Sequence, residues 1–293
     1  MSLIKRIKWE IRKFLIDHYP KLIIDHEWPR RYGHKVDWNN PRDINEKIQW
    51  LICYSDTSKW TKLADKYTVR QFIKDKGYYD ILIKLYGKWD DPKRIDFNSL
   101  PDKFVLKCNH DSASTKIIDK TKGFDRDELI DFYTERLKVK YGYLGCEPHY
   151  NKIPPLVIAE EFLEENNGFH SLTDYKFWCF NGTVRYVSVL FDRTEDSVNE
   201  TVYDLEWISH PEFMKSNEHY KSNGFLLQRP KNFEKMIGIA SELSKGFPEV
   251  RVDLYEVNGH IYFGEMTFTS TAGRMGYADS FLKELGDYCK INV

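Results

Sequence analysis

Two acidic residues near the carboxyl terminus lie within apolar sequence, where a buried and unpaired carboxylate is costly. Asp253 stands in the run Arg251-Val-Asp-Leu-Tyr-Glu-Val, and Glu265 stands in the run Ile-Tyr-Phe-Gly-Glu-Met that leads to Thr267. Carboxylate and hydroxyl oxygens on a rigid sheet suit Mg²⁺, which keeps water and phosphate oxygens as its remaining ligands. We therefore predict a magnesium site of Asp253, Glu265 and Thr267. The alternative is an ion pair in which Arg251 or Arg274 bridges the two acids.

The two acids flank Asn258-Gly259, and Asn-Gly between strand-like runs is the strongest short signal for a β-hairpin turn. A two-residue turn would pair Val252 with Glu265 and send Asp253 to the opposite face, because side chains alternate along a strand. A loop of odd length, such as a three-residue loop with glycine in the left-handed position, restores both acids to one face. We therefore expect an odd-length loop, with Asp253 opposite or diagonal to Glu265.

A second cluster combines a cation with a loop of small polar residues. The strand-like run Phe104-Val-Leu-Lys107 is followed by Cys-Asn-His-Asp-Ser-Ala-Ser-Thr, which contains Ser112, Ser114 and Thr115. An ammonium group at a strand end, together with the backbone N–H groups of such a loop, can bind phosphate oxygens. The alternative is an ordinary surface loop, since this one lacks the glycines that allow close backbone approach.

A third segment is an apolar strand that ends in carboxylates. It begins at Leu156 and runs through Val-Ile-Ala into Glu160-Glu161-Phe162-Leu163-Glu164. The end of such a strand can offer backbone groups to the edge of an adenine ring and a glutamate to ribose hydroxyls. The alternative is an ordinary strand that runs into a charged loop.

The elements that must position these clusters alternate between helices and hairpins. The predicted elements are helices over 44–76, with a break at 55–58, and over 125–141, a linker over 90–101, and hairpins over 174–191 and 251–268. The first hairpin has its own Asn-Gly turn, at Asn181-Gly182. Hairpins mixed with helices predict an α+β fold with antiparallel sheets, not a doubly wound parallel sheet.

Composition and missing motifs exclude several classes of protein. The 293 residues carry 44 Lys and Arg against 45 Asp and Glu, so nucleic acid is not an expected partner. The sequence lacks G-x-G-x-x-G, G-x-x-x-x-G-K-[ST], G-x-S-x-G and H-E-x-x-H, the main signals for Rossmann, P-loop, α/β-hydrolase and zincin sites. Five cysteines without Cys-x-x-Cys argue against a disulfide framework. With no signal peptide and no apolar run near 18 residues, a cytoplasmic location is expected.

The amino-terminal segment has helical periodicity and a basic character. Leu3, Ile7, Ile11, Phe14 and Leu15 fall on one helical face, with lysines and arginines elsewhere. One interpretation is a helix docked on the body of the protein. The other is a peripheral membrane contact through residues 1–15, with the basic helix lying on the anionic inner face of the membrane.

The order of these clusters resembles the ATP-grasp superfamily, and whole segments resemble its TupA-like branch, which is associated with bacterial surface-polysaccharide and teichuronopeptide synthesis. The resemblance spans residues 40–290. It rests on the runs Asn45-Glu-Lys-Ile-Gln-Trp50, Lys62-Leu-Ala-Asp-Lys66-Tyr, Phe104-Val-Leu-Lys-Cys-Asn-His110 and Tyr262-Phe-Gly-Glu-Met-Thr-Phe268. It implies antiparallel sheets and helices that form a nucleotide cleft between two lobes. The implied division is a mainly helical region over 1–100, a central lobe with a phosphate lid over 101–163, and a carboxyl-terminal lobe with the metal site over 164–293.

Carried over residue by residue, the resemblance implies an ATP site. Lys66 and Lys107 would contact phosphates, and the loop Ser112–Thr115, with Ser114 within it, would be the lid. Glu161–Leu163, with Phe162 between them, would be the hinge that contacts adenine. Glu160 or Glu164 would make polar contacts to adenine or ribose.

The resemblance also implies the roles of the metal and catalytic residues. Asp253 and Glu265 would hold Mg²⁺, with Thr267 standing where many ATP-grasp enzymes have asparagine. Arg251 would face the transferring phosphoryl group, and Lys176 would be a further cation beside it. Independently of the resemblance, Arg274 follows the metal strand and could bind the substrate carboxylate through both arms of its guanidinium; the alternative is an ordinary surface arginine.

The implied activity is an ATP- and Mg²⁺-dependent ligase that joins a carboxylate to an amine through an acyl phosphate. The expected partners are a small-molecule or sugar carboxylate and an amine. The expected acid is a uronic-acid component of a capsule or surface polysaccharide precursor. The alternatives are a kinase, a non-catalytic nucleotide-binding module, and a glycosyltransferase of polysaccharide synthesis. Asp125-Arg-Asp127 resembles the metal motif of glycosyltransferases, although carboxylates at a helix start also complement its dipole.

Overall fold

Two β-sheets form the framework of the molecule, and a computed structural model describes them within residues 3–165, 168–222 and 226–293. A four-stranded sheet has the order β1-β4-β2-β3, and a six-stranded sheet has the order β10-β9-β5-β6-β7-β8. The strands are β1 (Leu85–Trp89), β2 (Lys103–Cys108), β3 (Lys116–Asp119), β4 (Val157–Glu161), β5 (Asp174–Phe180), β6 (Thr183–Phe191), β7 (Val198–Tyr203), β8 (Tyr220–Lys221), β9 (Val250–Val257) and β10 (His260–Thr267). All the paired strands are antiparallel except β7 with β8.

Helices cover these sheets, and the predicted α+β class is confirmed. They are α1 (Leu3–His18), α2 (Pro20–Tyr32), α3 (Ile44–Tyr54), α4 (Ser58–Ala64), α5 (Val69–Asp75), α6 (Arg126–Arg136), α7 (Gly142–Gly145), α8 (Pro148–Asn151), α9 (Phe233–Leu243) and α10 (Asp279–Tyr288). The largest apolar cluster joins the six-stranded sheet to α3, α4, α5, α9 and α10. Asp125 caps α6 by accepting from the backbone N–H groups of Asp127 and Glu128, as expected of carboxylates at a helix start.

The second predicted helix is interrupted, so the expectation of one continuous helix up to residue 76 is wrong. Helix α4 ends at Ala64 and α5 begins at Val69. Between them Oδ1 of the buried Asp65 accepts hydrogen bonds from the backbone N–H of Tyr67 and from Nδ2 of Asn109, each at 2.8 Å. An aspartate that bonds nearby backbone competes with the helical pattern.

The segment predicted as a linker packs against the four-stranded sheet. Ile95, Phe97 and Leu100 are buried in the same apolar cluster as β2, β4 and α6. Strand β1, which lies inside the region expected to be mainly helical, pairs with β4 in that sheet. The division at residue 100 stays a proposal, and β1 belongs structurally with the central lobe.

Both predicted hairpins form, but the second reaches its register by a different route. His260 pairs with Val257, so Asn258-Gly259 is a two-residue turn, in which both residues have positive φ. The expected odd-length loop is therefore wrong. The register shifts instead at a bulge between Phe263 and Glu265, which aligns Glu265 with Asp253.

Helix α1 turns most of its apolar face outward. Leu3 is 73% exposed, Ile7 51% and Phe14 56%, whereas Ile16 on the opposite face is fully buried. Docking therefore uses the end of the helix near Ile16 and not the apolar face found in the sequence. None of the described helices is long and apolar enough to cross a membrane. Residues 1 and 2 lie outside the described residues.

Candidate functional site

One face of strand β9 carries three side chains of the candidate site. Arg251, Asp253 and Tyr255 are alternate residues and so project from the same face. The neighbouring strands bring Lys176 of β5 and Glu265 of β10 opposite Asp253. Lys176, Asp253 and Glu265 therefore form a transverse row across three adjacent strands.

Arg251 and Lys176 supply the cations that the buried acids require. The guanidinium of Arg251 donates to both oxygens of Asp253, from Nε to Oδ1 at 2.7 Å and from Nη2 to Oδ2 at 2.7 Å. Nζ of Lys176 lies 2.5 Å from Oδ2 of Asp253 and 2.5 Å from Oδ2 of Asp174. Burial opposes the charge of Lys176, but Asp174 and Asp253 outweigh it and raise the pKa of this ammonium. The lysine stays charged.

Glu265 is the more accessible of the two acids, with its side chain 35% exposed. Its Oε1 accepts from Nη2 of Arg251 at 3.2 Å and from Oγ1 of Thr267 at 3.3 Å. Its Oε2 lies 3.8 Å from Nζ of Lys66. Burial works to raise the pKa of Glu265, but Lys66, Lys176 and Arg251 outweigh it and lower the pKa to about 2. The carboxylate is therefore ionised at neutral pH.

The ion-pair alternative is present in one of its two forms, because Arg251 and not Arg274 bridges Asp253 and Glu265. The donor set nevertheless fits Mg²⁺ in its chemistry, since two carboxylates and the Thr267 hydroxyl share one face. Oε2 of Glu265 has only the distant contact with Lys66, whereas both oxygens of Asp253 accept hydrogen bonds from cations. Within the described ranges, no three His, Cys, Asp or Glu side chains converge to hold a metal.

A cavity of about 250 Å³ opens beside the row, and the structure brings all three residues predicted to be catalytic to its wall. These are Arg251, Lys176 and Arg274. Glu200 also lines the cavity and accepts a hydrogen bond from the hydroxyl of Tyr277 at 2.5 Å. Burial raises the pKa of Glu200. The cavity thus combines several cations with one buried carboxyl group.

The loop that carries Arg274 has a strained backbone. Thr271 and Ala272 have φ values of 50° and 54°, in the left-handed region that residues with a side chain rarely adopt. Such a conformation persists only where surrounding contacts fix it. Thr271 lines the same cavity as Arg274, so the strain lies at the candidate site.

Helix α3 supplies the contacts that fix this loop. Nε2 of Gln49 donates to the carbonyl of Ala272 at 2.8 Å. Nδ2 of Asn45 donates to the carbonyl of Met275 at 3.1 Å, and its Oδ1 accepts from the N–H of Met275 at 2.9 Å. Asn45 and Gln49 are both buried. The run that begins at Asn45 therefore positions the loop of Arg274 across more than two hundred residues of sequence.

A second cavity, of about 410 Å³, lies between the two sheets. The residues that line it include, from the smaller sheet and its adjoining loops, Lys107, Thr115, Glu160, Glu161, Phe162, Leu163 and Glu164, and from the larger sheet Tyr255. Nζ of Lys107 lies 2.5 Å from Oε2 of Glu160, and Oε1 of Glu160 lies 3.5 Å from Nη1 of Arg70. Most residues expected to bind the nucleotide are thus brought to one cavity.

Three residues expected to contact phosphates do not line this cavity. Nζ of Lys66 donates to the carbonyl of Asp111 at 2.6 Å and lies on the side of Glu265. Ser112 donates to the hydroxyl of Tyr141 at 2.7 Å. Ser114 is buried and accepts from the backbone N–H of Cys108, so its hydroxyl serves the loop itself.

Sequence reasoning missed charged residues of the site, among them Asp174, Glu200 and Arg31. Asp174 binds Lys176, and its position two residues earlier on the same strand is the signal that could have revealed it. Glu200 lies on β7, and Arg31 lies in the last turn of α2; both line the 250 Å³ cavity. No local pattern marks either residue, because only the tertiary fold brings β7 and α2 to the site.

A family model described as TupA-like ATPgrasp matches residues 46–290 of the chain. No curated protein matches it in sequence.

Solved structures give distant matches. The D-alanine–D-alanine ligase of Bacillus anthracis in complex with ATP has 14% identity and a TM-score of 0.39, over 71% of this chain and 54% of the ligase. The ATP-grasp ligase PsnB in complex with a minimal precursor has 11% identity and a TM-score of 0.45, over 83% of this chain and 66% of PsnB. The biotin carboxylase of Campylobacter jejuni has 13% identity and a TM-score of 0.40, over 78% and 44% of the two chains. The chain therefore spans less than two-thirds of the length of each of these enzymes.

Proposed function

The chain belongs to the TupA-like ATPgrasp family, and from that premise we propose that it is an ATP-dependent ligase that joins a carboxylate to an amine. In the first step a carboxylate oxygen of the acid attacks the γ-phosphorus of ATP, which gives an acyl phosphate and ADP. In the second step the amine attacks the acyl carbon, phosphate leaves, and the nitrogen loses a proton to give the amide. Such transfers depend on positioning and charge neutralisation more than on a side-chain nucleophile.

The observation that carries this proposal is the row of side chains on one face of β9. Tyr255 lines the 410 Å³ cavity, Arg251 lines the 250 Å³ cavity, and Asp253 lies between them. At the rise of an extended strand, Tyr255 and Arg251 are roughly 13 Å apart along the backbone. A nucleotide base in the first cavity would therefore direct its phosphates along Asp253 toward the second.

The residues of each cavity take complementary parts in the proposed reaction. Lys107, Thr115 and the segment Glu160–Glu164 would bind the nucleotide, and Lys66 would contact a phosphate from the side of Glu265. Arg251, Lys176 and Arg274 would neutralise negative charge at the transferring group and on the acid. Asp253, Glu265 and Thr267 would hold Mg²⁺, which would supply positive charge to stabilise the phosphates.

The proposal is tested by ADP and phosphate release from ATP with Mg²⁺, against a matrix of uronic acids and small amines. Hydroxylamine should trap the acyl phosphate as a hydroxamate and distinguish a ligase from a kinase. The expected result is ADP release that depends on an acid and product formation that depends on an amine. Tight ATP binding without turnover across the matrix would contradict the ligase and favour a non-catalytic nucleotide-binding module.

A variant of the nucleotide cavity sharpens this test. Lys107→Met should raise KM for ATP by roughly tenfold or more, because a charge-assisted contact to phosphate is lost. Lys122→Met removes a lysine that is 81% exposed and is not among the residues that line the cavity, so it should leave KM unchanged. Equal KM values for the two variants would show that Lys107 does not bind the nucleotide.

We propose the acid to be a uronic-acid component of a surface or capsular polysaccharide precursor. The cation-rich wall of the 250 Å³ cavity supports an anionic substrate, and the family resemblance supports the sugar. A preference of ADP release for simple amino acids over every uronic acid would contradict this assignment.

The exposed face of α1 supports a peripheral membrane contact. Ile4, Ile7, Ile11 and Phe14 are each more than half exposed, and lysines and arginines flank them on the same helix. Apolar side chains flanked by cations match the surface of an anionic bilayer. We propose that this helix holds the enzyme at the inner face of the membrane.

Sedimentation with vesicles tests the membrane contact. The chain should sediment with vesicles that contain phosphatidylglycerol and stay in solution with pure phosphatidylcholine. Ile7→Glu together with Ile11→Glu should abolish sedimentation, whereas Ile208→Glu, at a residue 59% exposed elsewhere on the surface, should not. Equal sedimentation of the α1 double variant and the wild type would exclude α1 as the contact.

A further inference from the structure

Two arginines stand at the junction of two neighbouring cavities. Arg31 of α2 and Arg274 both line the 250 Å³ cavity beside Asp253. Both also line a third cavity, of about 290 Å³. Arg30 and the buried Trp28 also line this third cavity. The candidate substrate cavity thus shares two arginines, Arg31 and Arg274, with a neighbouring cavity.

The cations around the 250 Å³ cavity differ in how closely protein carboxylates pair with them. Arg251 and Lys176 are engaged by Asp253. Nζ of Lys215 lies 2.7 Å from Oδ1 of Asp279. These three side chains are already paired with protein carboxylates.

The arginines at the junction are less fully matched. Arg274 shares Glu27 with Arg12, and Nη2 of Arg274 lies 3.3 Å from Oε2 of that glutamate. Arg31 is exposed and stacks on the ring of Tyr32 at 5.7 Å. Across the described part of the chain it forms no ion pair with a carboxylate. One glutamate therefore balances an arginine cluster, and Arg31 keeps an uncompensated charge beside the cavity.

We propose that this junction binds a second anionic group of the acid substrate, a carboxylate or a phosphate, and that Arg31 selects for it. This inference rests on the proposed ligase function and assigns the substrate class of the same site. The reacting carboxylate lies toward Lys176 and Arg251, and the second anion lies toward Arg31 and Arg274. A guanidinium with free N–H groups binds either oxyanion through two parallel hydrogen bonds.

Calorimetric titration of the full chain with three probes tests the subsite without requiring turnover. Glucuronate carries one carboxylate, glucarate carries two, and glucuronic acid 1-phosphate carries a carboxylate and a phosphate. At least one of the two multiply charged probes should bind roughly tenfold more tightly than glucuronate, as one added charge-assisted contact predicts. The probe that gains affinity identifies the second group as a carboxylate or a phosphate.

Arg31→Gln should remove this gain while it leaves the affinity for glucuronate within about twofold of the wild-type value. Arg193→Gln is the matched control, because Arg193 is an exposed arginine that lines neither cavity. Equal affinities of all three probes for the wild type, or no binding of the multiply charged ones, would overturn the subsite. An equal loss for all probes in Arg31→Gln would also overturn it, since that result indicates general electrostatics.

The two proposals fail in distinguishable ways. ADP release that shows no dependence on any acid contradicts the ligase function, whatever the titrations give. Titrations without the predicted preference contradict the subsite, even if an acid does stimulate ADP release.

Discussion

Arg251 links three other side chains of the candidate site, those of Asp253, Glu265 and Thr267, through hydrogen bonds. It binds both oxygens of Asp253, reaches Oε1 of Glu265 at 3.2 Å and reaches Oγ1 of Thr267 at the same distance. These contacts hold the two acids close together within a largely buried row. The same side chain lines the cavity proposed for the acid substrate.

Replacement of Glu265 tests the metal site. Glu265→Gln should lower kcat by about 100-fold or more, because the side chain then offers Mg²⁺ and the surrounding cations no negative charge. Glu256→Gln is the control, since Glu256 lies on the opposite face of the same hairpin and should retain activity. Unchanged turnover in Glu265→Gln would show that the metal assignment is wrong.

The pH dependence of stability checks the charge state of Glu265 independently of activity. The pKa of Glu265 is lowered from 4.5 to about 2 in the folded state. Its stabilising contribution is therefore complete above pH 4.5 and is lost as the pH falls toward 2. The melting temperature of Glu265→Gln should lie below that of the wild type at pH 7, and the two should converge at acid pH.

Glu147 should give the opposite pH dependence. Burial raises the pKa of this carboxyl from 4.5 to about 7, although a hydrogen bond from Thr269 and the charge of Arg274 oppose the shift. The unfolded state releases this proton first, so stability falls as the pH rises from 4.5 to 7, by up to about 3 kcal/mol. Glu147→Gln should lack this fall, as urea unfolding at pH 5 and pH 8 would show. Identical slopes for the wild type and the variant would mean that Glu147 is charged in the folded protein.

At the scale of elements, the bulge in the β9–β10 hairpin decides which residues meet. The two-residue turn at Asn258-Gly259 alone would set Glu265 against Val252 and separate the acids. The shift at Gly264 inserts one residue and aligns Glu265 with Asp253. A Cβ at position 264 would lie 3.0 Å from the carbonyl oxygen of Asp253 and 3.0 Å from the ring of Tyr255. Glycine permits this close approach.

Gly264→Ala should therefore destabilise the protein by about 1–3 kcal/mol, the usual cost of overpacking, and lower kcat by displacing Glu265. Gly238→Ala is the matched control. A Cβ there meets nothing within 4 Å inside helix α9, so this change should stabilise the protein by about 0.5–1 kcal/mol. Thermal melts and initial rates measure both effects. A Gly264→Ala variant with wild-type rates would show that the bulge is not needed for activity.

At the scale of the whole molecule, the amino-terminal helices complete the carboxyl-terminal site. Helix α3 packs against α10 and against the 270–273 turn, and it holds the loop of Arg274 through buried amides. Helix α2 brings Arg31 to the cavity and Glu27 to Arg274. The helical region therefore contributes residues and supporting contacts to the candidate site.

Asn45→Ala should show this dependence. It leaves the N–H and carbonyl of Met275 without their buried partners, at a cost of about 2–4 kcal/mol in the free energy of unfolding. KM for the acid should rise more than KM for ATP, because the loop borders the acid cavity and not the nucleotide cavity. Asn98→Ala, at an exposed residue, should change stability by less than about 0.5 kcal/mol. Equal effects on both KM values would indicate a general loss of folding.

Local patterns in the sequence determined the elements and the chemical types of the site. The two Asn-Gly turns, the apolar strands that carry charged residues, and the cap at Asp125 are encoded within a few residues, because turn geometry and strand alternation are local properties. They were sufficient for the α+β class, and the order of the motifs was sufficient for the family resemblance.

Tertiary structure decided the register and the partners. The bulge at Gly264 depends on packing against Asp253 and Tyr255. At the break after Ala64, Asp65 combines a local hydrogen bond from the backbone of Tyr67 with a distant one from Asn109. Arg31 reaches the cavity, and the apolar face of α1 stays exposed, only because of how helices distant in sequence pack together. Such contacts leave no periodic pattern in the sequence. The sequence therefore contains these residues but does not indicate that they come into contact.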